Sequence, residues 1–161
     1  MKKRKYKGAS LPMVIVTVVF LALMIGIVAS VVSTSNKQTQ RLYSYINAKY
    51  VATSGSQLAL GAYFEGEGGK SSLYTEFQKR AEGHSSATTP VTSIHKFSFG
   101  TAEITMTGAF TDGSTAKEDY NITIVSRAKL LNSDDYYVHT VVFNFDTNGI
   151  RSEKGGLESK K

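Results

Sequence analysis

The sequence predicts an α+β protein in which one long N-terminal helix crosses a membrane with its first half and packs on an antiparallel β-meander with its second. Three observations carry this. Residues 9–36 contain no charged side chain over 28 positions, helical periodicity continues to about residue 64, and three period-2 segments rich in β-branched and aromatic residues follow. At 161 residues there is room for one modest domain beside the membrane segment.

The apolar run comes first. Residues 11–32 (LPMVIVTVVFLALMIGIVASVV) are interrupted only by Pro12, Thr17, Gly26 and Ser30. A helix rises about 1.5 Å per residue, so about 20 residues cross a hydrocarbon core of about 30 Å. In lipid a single segment must satisfy its backbone internally, which leaves helix. Lys2, Lys3, Arg4, Lys5 and Lys7 precede the run, while only Lys37 and Arg41 closely follow it. The positive-inside rule therefore sets the N-terminus in the cytoplasm and everything after about Ser33 outside. Two other readings of these residues are a secretory signal cleaved near the small residues Ala29 and Ser30, and an uncleaved signal anchor. The run exceeds the length of about 7–15 residues of a secretory h-region and lacks an A-x-A site.

Beyond the span, Leu42, Ile46 and Tyr50 recur at i, i+4 and i+8, and Leu58, Ala59, Ala62 and Tyr63 extend the pattern. One helix from about Ser10 to Phe64 is expected, about 80 Å long. Its outer half presents a stripe that requires cover. Gly26 and Gly55 are its expected soft points, each costing roughly 1 kcal/mol relative to Ala. In lipid, Gly26 also permits close helix approach.

Residues 65–72 (EGEGGKSS) read as a helix stop and loop, 73–80 (LYTEFQKR) as a short helix or turn, and 83–92 as a polar loop. The strand segments are 94–107, Tyr120–Lys129 and 136–146. In the first, Phe97 and Phe99 and then Ala102, Ile104 and Met106 share faces, with Gly100 resetting the phase. In the second, Tyr120, Ile122, Ile124 and Ser126 alternate with Asn121, Thr123, Val125 and Arg127. In the third, Val141, Phe143 and Phe145 alternate with Thr140, Val142 and Asn144. A meander with one apolar face is expected, with the helical stripe as its lid. Residues 150–161, rich in Gly, Ser, Lys and Glu, read as a flexible tail.

Charge and composition exclude several functions. The formal net charge is +6, yet positives exceed negatives by only one from residue 8 onward, so the basic character belongs to the leader. A nucleic-acid-binding domain carries its charge on a folded face, so nucleic acid is not an expected partner. With no Cys, disulfide scaffolds, thiolate metal sites and cysteine nucleophiles are absent. Gly69-Lys70-Ser71 matches the end of a P-loop, but Phe64 stands where that pattern needs Gly. His84, His95 and His139 lack metal-ligand spacing. Glu65 with Glu67, and Asp134 with Asp135, read as hydrated turn carboxylates rather than an acid/base pair. The sequon Asn121-Ile122-Thr123 lies inside an expected strand. The Tyr136-Tyr137 pair has two readings, packing between helix and sheet and a surface contact. No catalytic constellation, cofactor site or metal site is expected.

The junction Lys7-Gly8-Ala9-Ser10-Leu11-Pro12, a basic leader ending in Gly directly before a long apolar run, resembles the signal of the type IV pilin and pseudopilin family. The resemblance implies cleavage between Gly8 and Ala9 by a prepilin peptidase and methylation of the new terminus at Ala9. It implies a helix that anchors the chain and then packs in a filament through residues including Leu11, Pro12, Met13 and Gly26. Its implied partners are other pilin subunits, an assembly platform protein, an ATPase and the membrane. Major pilins of this family carry Glu five residues into the mature chain, and here that position is Met13. The resemblance therefore points to the minor subunits, some of which sit at a filament tip. The expected organisation is a cleaved leader 1–8, a span 9–32, a helix continuation 33–64, a globular part 65–149 with an antiparallel sheet, and the tail 150–161.

Overall fold

The computed structural model describes residues 10–65, 71–83, 89–111, 114, 119–131, 133–145 and 150–159. The chain forms two compact units, Met1–Leu42 and Tyr43–Lys161. Helix α1, Ser10–Phe64, contributes to both and is continuous through Gly26 and Gly55. The fold is α+β, a long apolar N-terminal helix and a five-stranded antiparallel sheet.

In the first unit the helix is bare, with every side chain from residue 12 to 42 exposed. Pro12 is the third described residue of this helix. The hydroxyls on this stretch bond back to their own helix: Thr17 Oγ1 donates to the Met13 carbonyl at 2.8 Å, and Thr34 and Thr39 donate to Ser30 and Ser35 at 3.0 Å. Thr17 is thereby satisfied within the apolar run without a partner from elsewhere.

In the second unit, α2 (Ser72–Glu82) follows α1. Ser71 caps it, accepting from the Tyr74 amide at 3.0 Å while its hydroxyl donates to the Tyr63 carbonyl at 2.6 Å. One side chain thus starts α2 and ties it to the end of α1. Phe77 and Ala81 form the buried face of α2. The strands are β1 (Val91–Phe97), β2 (Gly100–Phe110), β3 (Tyr120–Lys129), β4 (Tyr136–Asn144) and β5 (Ile150–Glu158), paired in chain order, each antiparallel to the next.

Register fixes the inner face row by row. Ala102, Ala128 and Tyr137 share one row, Ile104, Ser126 and His139 the next, and Met106, Ile124 and Val141 a third. All nine are buried. The period-2 reading of β2, β3 and β4 thus assigned the inner residues correctly, and β3 has the expected limits. The segment expected at 94–107 is instead a hairpin. Phe97 pairs with Gly100 across a two-residue turn, and Phe99 stands at its tip, 65% exposed, rather than on the inner face.

The helix lies on this face with a different side from the one its large apolar residues suggested. Ile46 and Tyr50 point away and are 39% and 67% exposed, and Leu42 is also exposed. The buried side is Ser44, Ala48, Val51, Ala52, Gly55, Ser56, Ala59 and Tyr63. Close approach is the reason. A Cβ on Gly55 would fall on Ser126 Oγ and lie 2.8 Å from Ala102 Cβ. Gly55 is therefore a contact point of helix with sheet rather than a soft point. Larger rings close the ends of the interface, Tyr45 edge-on to Tyr137 at 5.4 Å and Tyr63 against Phe143 at 5.1 Å.

The expected tail is also corrected, because Ile150–Glu158 forms β5 on the free edge of β4. Its composition is that of a solvent-facing strand. From Ser152 to Glu158 no side chain is buried, so the hydrophobic pattern that marks the other strands has no reason to appear.

Gly55→Ala is expected to destabilise the second unit by about 1–3 kcal/mol, read from the urea midpoint of the full chain in detergent. Ser126→Gly in the same chain should restore part of that loss, since it removes the oxygen nearest the new methyl group.

Candidate functional site

Two places concentrate unusual chemistry. The first is the start of α1. Gly8 and Ala9, the expected processing pair, lie outside the described residues, as does the basic leader. Of the residues expected to act in helix packing, Leu11 and Pro12 are the second and third described residues of α1, Met13 is 74% exposed, and among the described residues nothing lies within 4 Å of a Cβ placed on Gly26. This helix is long and apolar enough to cross a membrane, and no part of its most apolar window is buried in the protein. An exposed surface of Val, Ile, Leu, Met and Phe on this scale is stable in lipid or against other apolar helices, and not in water.

The second place was not visible as a motif. Ser56 on α1, His139 on β4 and Glu153 on β5 meet in one line, with Ser56 Oγ 2.7 Å from His139 Nδ1 and His139 Nε2 2.8 Å from Glu153 Oε1. Ser56 Oγ also donates to the Thr53 carbonyl at 2.8 Å. The hydroxyl has one hydrogen. When it points at Thr53, both ring nitrogens of His139 donate, one to Ser56 and one to the Glu153 carboxylate; when it turns to Nδ1, the ring needs a hydrogen only on Nε2. Either way the three elements are joined through one imidazole.

A serine, a histidine and a carboxylate in line invite comparison with a nucleophilic relay. Ser56 is fully buried against the sheet, so no substrate carbonyl can approach its oxygen in this conformation. The arrangement serves as a clamp. Sequence spacing could not disclose it, because the three residues are separated by 83 positions and 14 positions and are brought together by the register of β4 and β5 and the face chosen by α1.

The remaining candidates resolve individually. His84 and Glu67 lie outside the described residues. His95 is exposed and sits edge-on to Phe97 at 4.8 Å. Asp134 pairs with Lys129 at 2.9 Å, holding that ammonium above its usual pKa through the hydrogen bond and its charge, and Asp135 accepts from Ser133 at 2.9 Å. Asn121 Nδ2 is engaged by Thr111 Oγ1 at 2.9 Å within the sheet. Among the described residues no group of three or more His, Asp or Glu side chains converges on a point that could hold a metal ion. Tyr136 and Tyr137 separate onto opposite faces, and Tyr137 is the buried one.

No protein-family model matches the chain, and no curated protein is significantly similar to it. The functional reading rests on the residues themselves.

Burial gives the second unit a marked response to alkali. Loss of hydration raises the phenol pKa of both Tyr120 and Tyr137 above the ordinary value of 10.0, with the Arg80 charge opposing the rise at Tyr120 and Tyr45 adding to it at Tyr137. A pKa raised in the folded state means that the stabilisation is complete below about pH 10, where both states are neutral, and is lost as pH rises through the folded value. The urea midpoint is expected to fall as pH rises above about 10, and ultraviolet titration should show late-ionising phenols. Tyr120→Phe and Tyr137→Phe should each remove one of these.

Proposed function

We propose that this chain is a minor type IV pilin or pseudopilin, a structural subunit of an extracellular filament or of its initiating or tip complex. The observation that carries this reading is the sequence junction of a five-charge leader and Gly8-Ala9 directly before an uncharged run, together with a helix that continues from that run to Phe64 in an α+β unit. A helix used both as a membrane anchor and as the spine of a head can be withdrawn from lipid only into an equally apolar setting, which neighbouring helices of the same kind provide. A retained leader would carry its charges into that setting at prohibitive cost, so removal between Gly8 and Ala9 precedes assembly.

The exposed side of α1 supports the same reading. Tyr43, Ile46, Tyr50 and Leu58 face away from the sheet and are 58%, 39%, 67% and 44% exposed, which suits a partner helix. In this reading the residues act by position. Gly8 is the cleavage point, Ala9 the methylated terminus and residues 11–32 the retention and packing helix. The N-terminus starts in the cytoplasm and the sheet faces the outside. Met13 offers no carboxylate to a neighbour's terminal amine, which fits a subunit with none beyond it. The partners are other pilin subunits, a prepilin peptidase and, indirectly, an assembly platform and its ATPase. No catalysis is assigned to the chain. The competing reading is a permanent signal anchor that displays a binding domain and never enters a filament.

Intact mass of the protein from its native cells, with N-terminal peptide mapping, separates the two. The expected mature chain begins at Ala9 and carries one methyl group, and Gly8→Val should reduce processing to background. A chain still beginning MKKRKYKG would leave the anchored domain as the correct description.

A further inference from the structure

β5 forms one edge of the sheet and is held differently from the buried strands β2, β3 and β4. Among the described residues it pairs with β4 alone, with a register irregularity between Val142 and Phe143. From Ser152 to Glu158 it buries no side chain, and Leu157 is 59% exposed. Two adjacent glycines, Gly155 and Gly156, add to the entropy cost of keeping it extended. From Ser152 to Glu158, what fastens it beside the backbone ladder is polar: Glu153 to His139 at 2.8 Å and Glu158 to Arg127 at 3.2 Å, the latter pair about half exposed on both sides. Exposed pairs of that kind contribute little.

Beneath it, β4 is firmly built. Tyr137, His139, Val141 and Phe143 are buried on its inner side, and it is fully paired to β3. Two of these side chains reach sideways toward β5 and set what can lie there. His139 Nε2 requires an acceptor, met by Glu153. The Tyr137 hydroxyl occupies the space that a side chain at position 155 would need, since a Cβ built on Gly155 falls on it. The edge of β4 therefore selects an antiparallel strand with the pattern Glu-x-Gly.

We propose that the β4 edge is a strand-acceptor site, occupied at rest by the chain's own β5 and open to exchange with the Glu153-Lys154-Gly155 segment of a second copy. A strand that buries no side chain from Ser152 to Glu158 detaches over that stretch at a small fraction of the cost of unfolding the sheet, and the edge it leaves offers a row of backbone donors and acceptors. A second copy carries the same acid and the same glycine at the same spacing, so it restores both the ladder and the His139 contact. The proposal concerns the second unit alone and holds whether or not the chain is a pilin.

The test uses the full-length chain in detergent micelles and a fluorescein-labelled synthetic peptide of residues 150–158. The expected result is saturable binding, with peptides carrying Glu153→Lys or Gly155→Val bound at least about tenfold more weakly. The chain carrying Glu153→Lys in its own β5 should take up the wild-type peptide roughly fivefold faster, because its resident strand is less well held. Hydrogen exchange on the same samples should show β5 amides opening in an event that leaves β2 and β3 protected, which also certifies that the variant is folded. Failure to capture the wild-type peptide, equal capture of the Gly155→Val peptide, or exchange of β5 only together with β2 and β3 would each overturn the proposal.

Discussion

The close approach of α1 to the sheet is the constraint on which the second unit depends. Gly55 stands so near Ser126 and Ala102 that no side chain fits between them. That distance sets the identity of the rest of the seam, with Ala48, Ala52, Ser56 and Ala59 on the helix and Ala102, Ser126 and Ala128 on the sheet. Small residues give up apolar area, and the aromatic side chains at the two ends of the packed stretch recover it. Tyr45 meets Tyr137 at one end, while Tyr63 is enclosed by Phe143, Phe77 and Tyr74 at the other. The core is thus thin in its middle and ring-filled at its ends.

The same approach accounts for the polar groups in the core. With the helix so close, Ser56 reaches His139 directly, and His139 in turn reaches Glu153. Ser126 Oγ, buried and without a hydrogen-bond partner among the described residues, sits where Gly55 passes. An unpaired hydroxyl costs about 1–3 kcal/mol, and here it accompanies a contact that a larger or differently shaped residue would obstruct. Outside this seam the helix keeps its large apolar residues for other uses. Residues 12–32 are bare, and Tyr43, Ile46 and Tyr50 face outward, so the helix is built to satisfy an external apolar environment as well as its own sheet.

Sequence legibility followed burial. Where a strand has one buried side and one half-exposed side, the alternation was plain, as in Tyr120, Ile122, Ile124 and Ser126 of β3. Where a strand is exposed on nearly every residue, as in β5, it left no period and read as tail. The hairpin between β1 and β2 was missed for a related reason. Five consecutive residues of β1 are exposed, so its pattern merged with that of β2. For the helix the error was one of side. Leu42, Ile46 and Tyr50 form the more apolar stripe, but apolarity names a surface that avoids water without naming what covers it.

The sequence by itself determined the uncharged run, the asymmetric leader and the end of α1 at Phe64, because those are properties of consecutive residues: length against bilayer thickness, charge on either side, and the glycines that follow the helix. It also determined the α+β class and most of the inner face of the sheet, since period-2 burial is written along each strand. Only the tertiary structure decided which side of α1 is buried, that residues 150–158 pair with β4, and that Ser56, His139 and Glu153 meet. Each of these depends on a distance between segments far apart in the chain, and such a distance is set by the volumes of side chains facing one another across the interface, which no local pattern records.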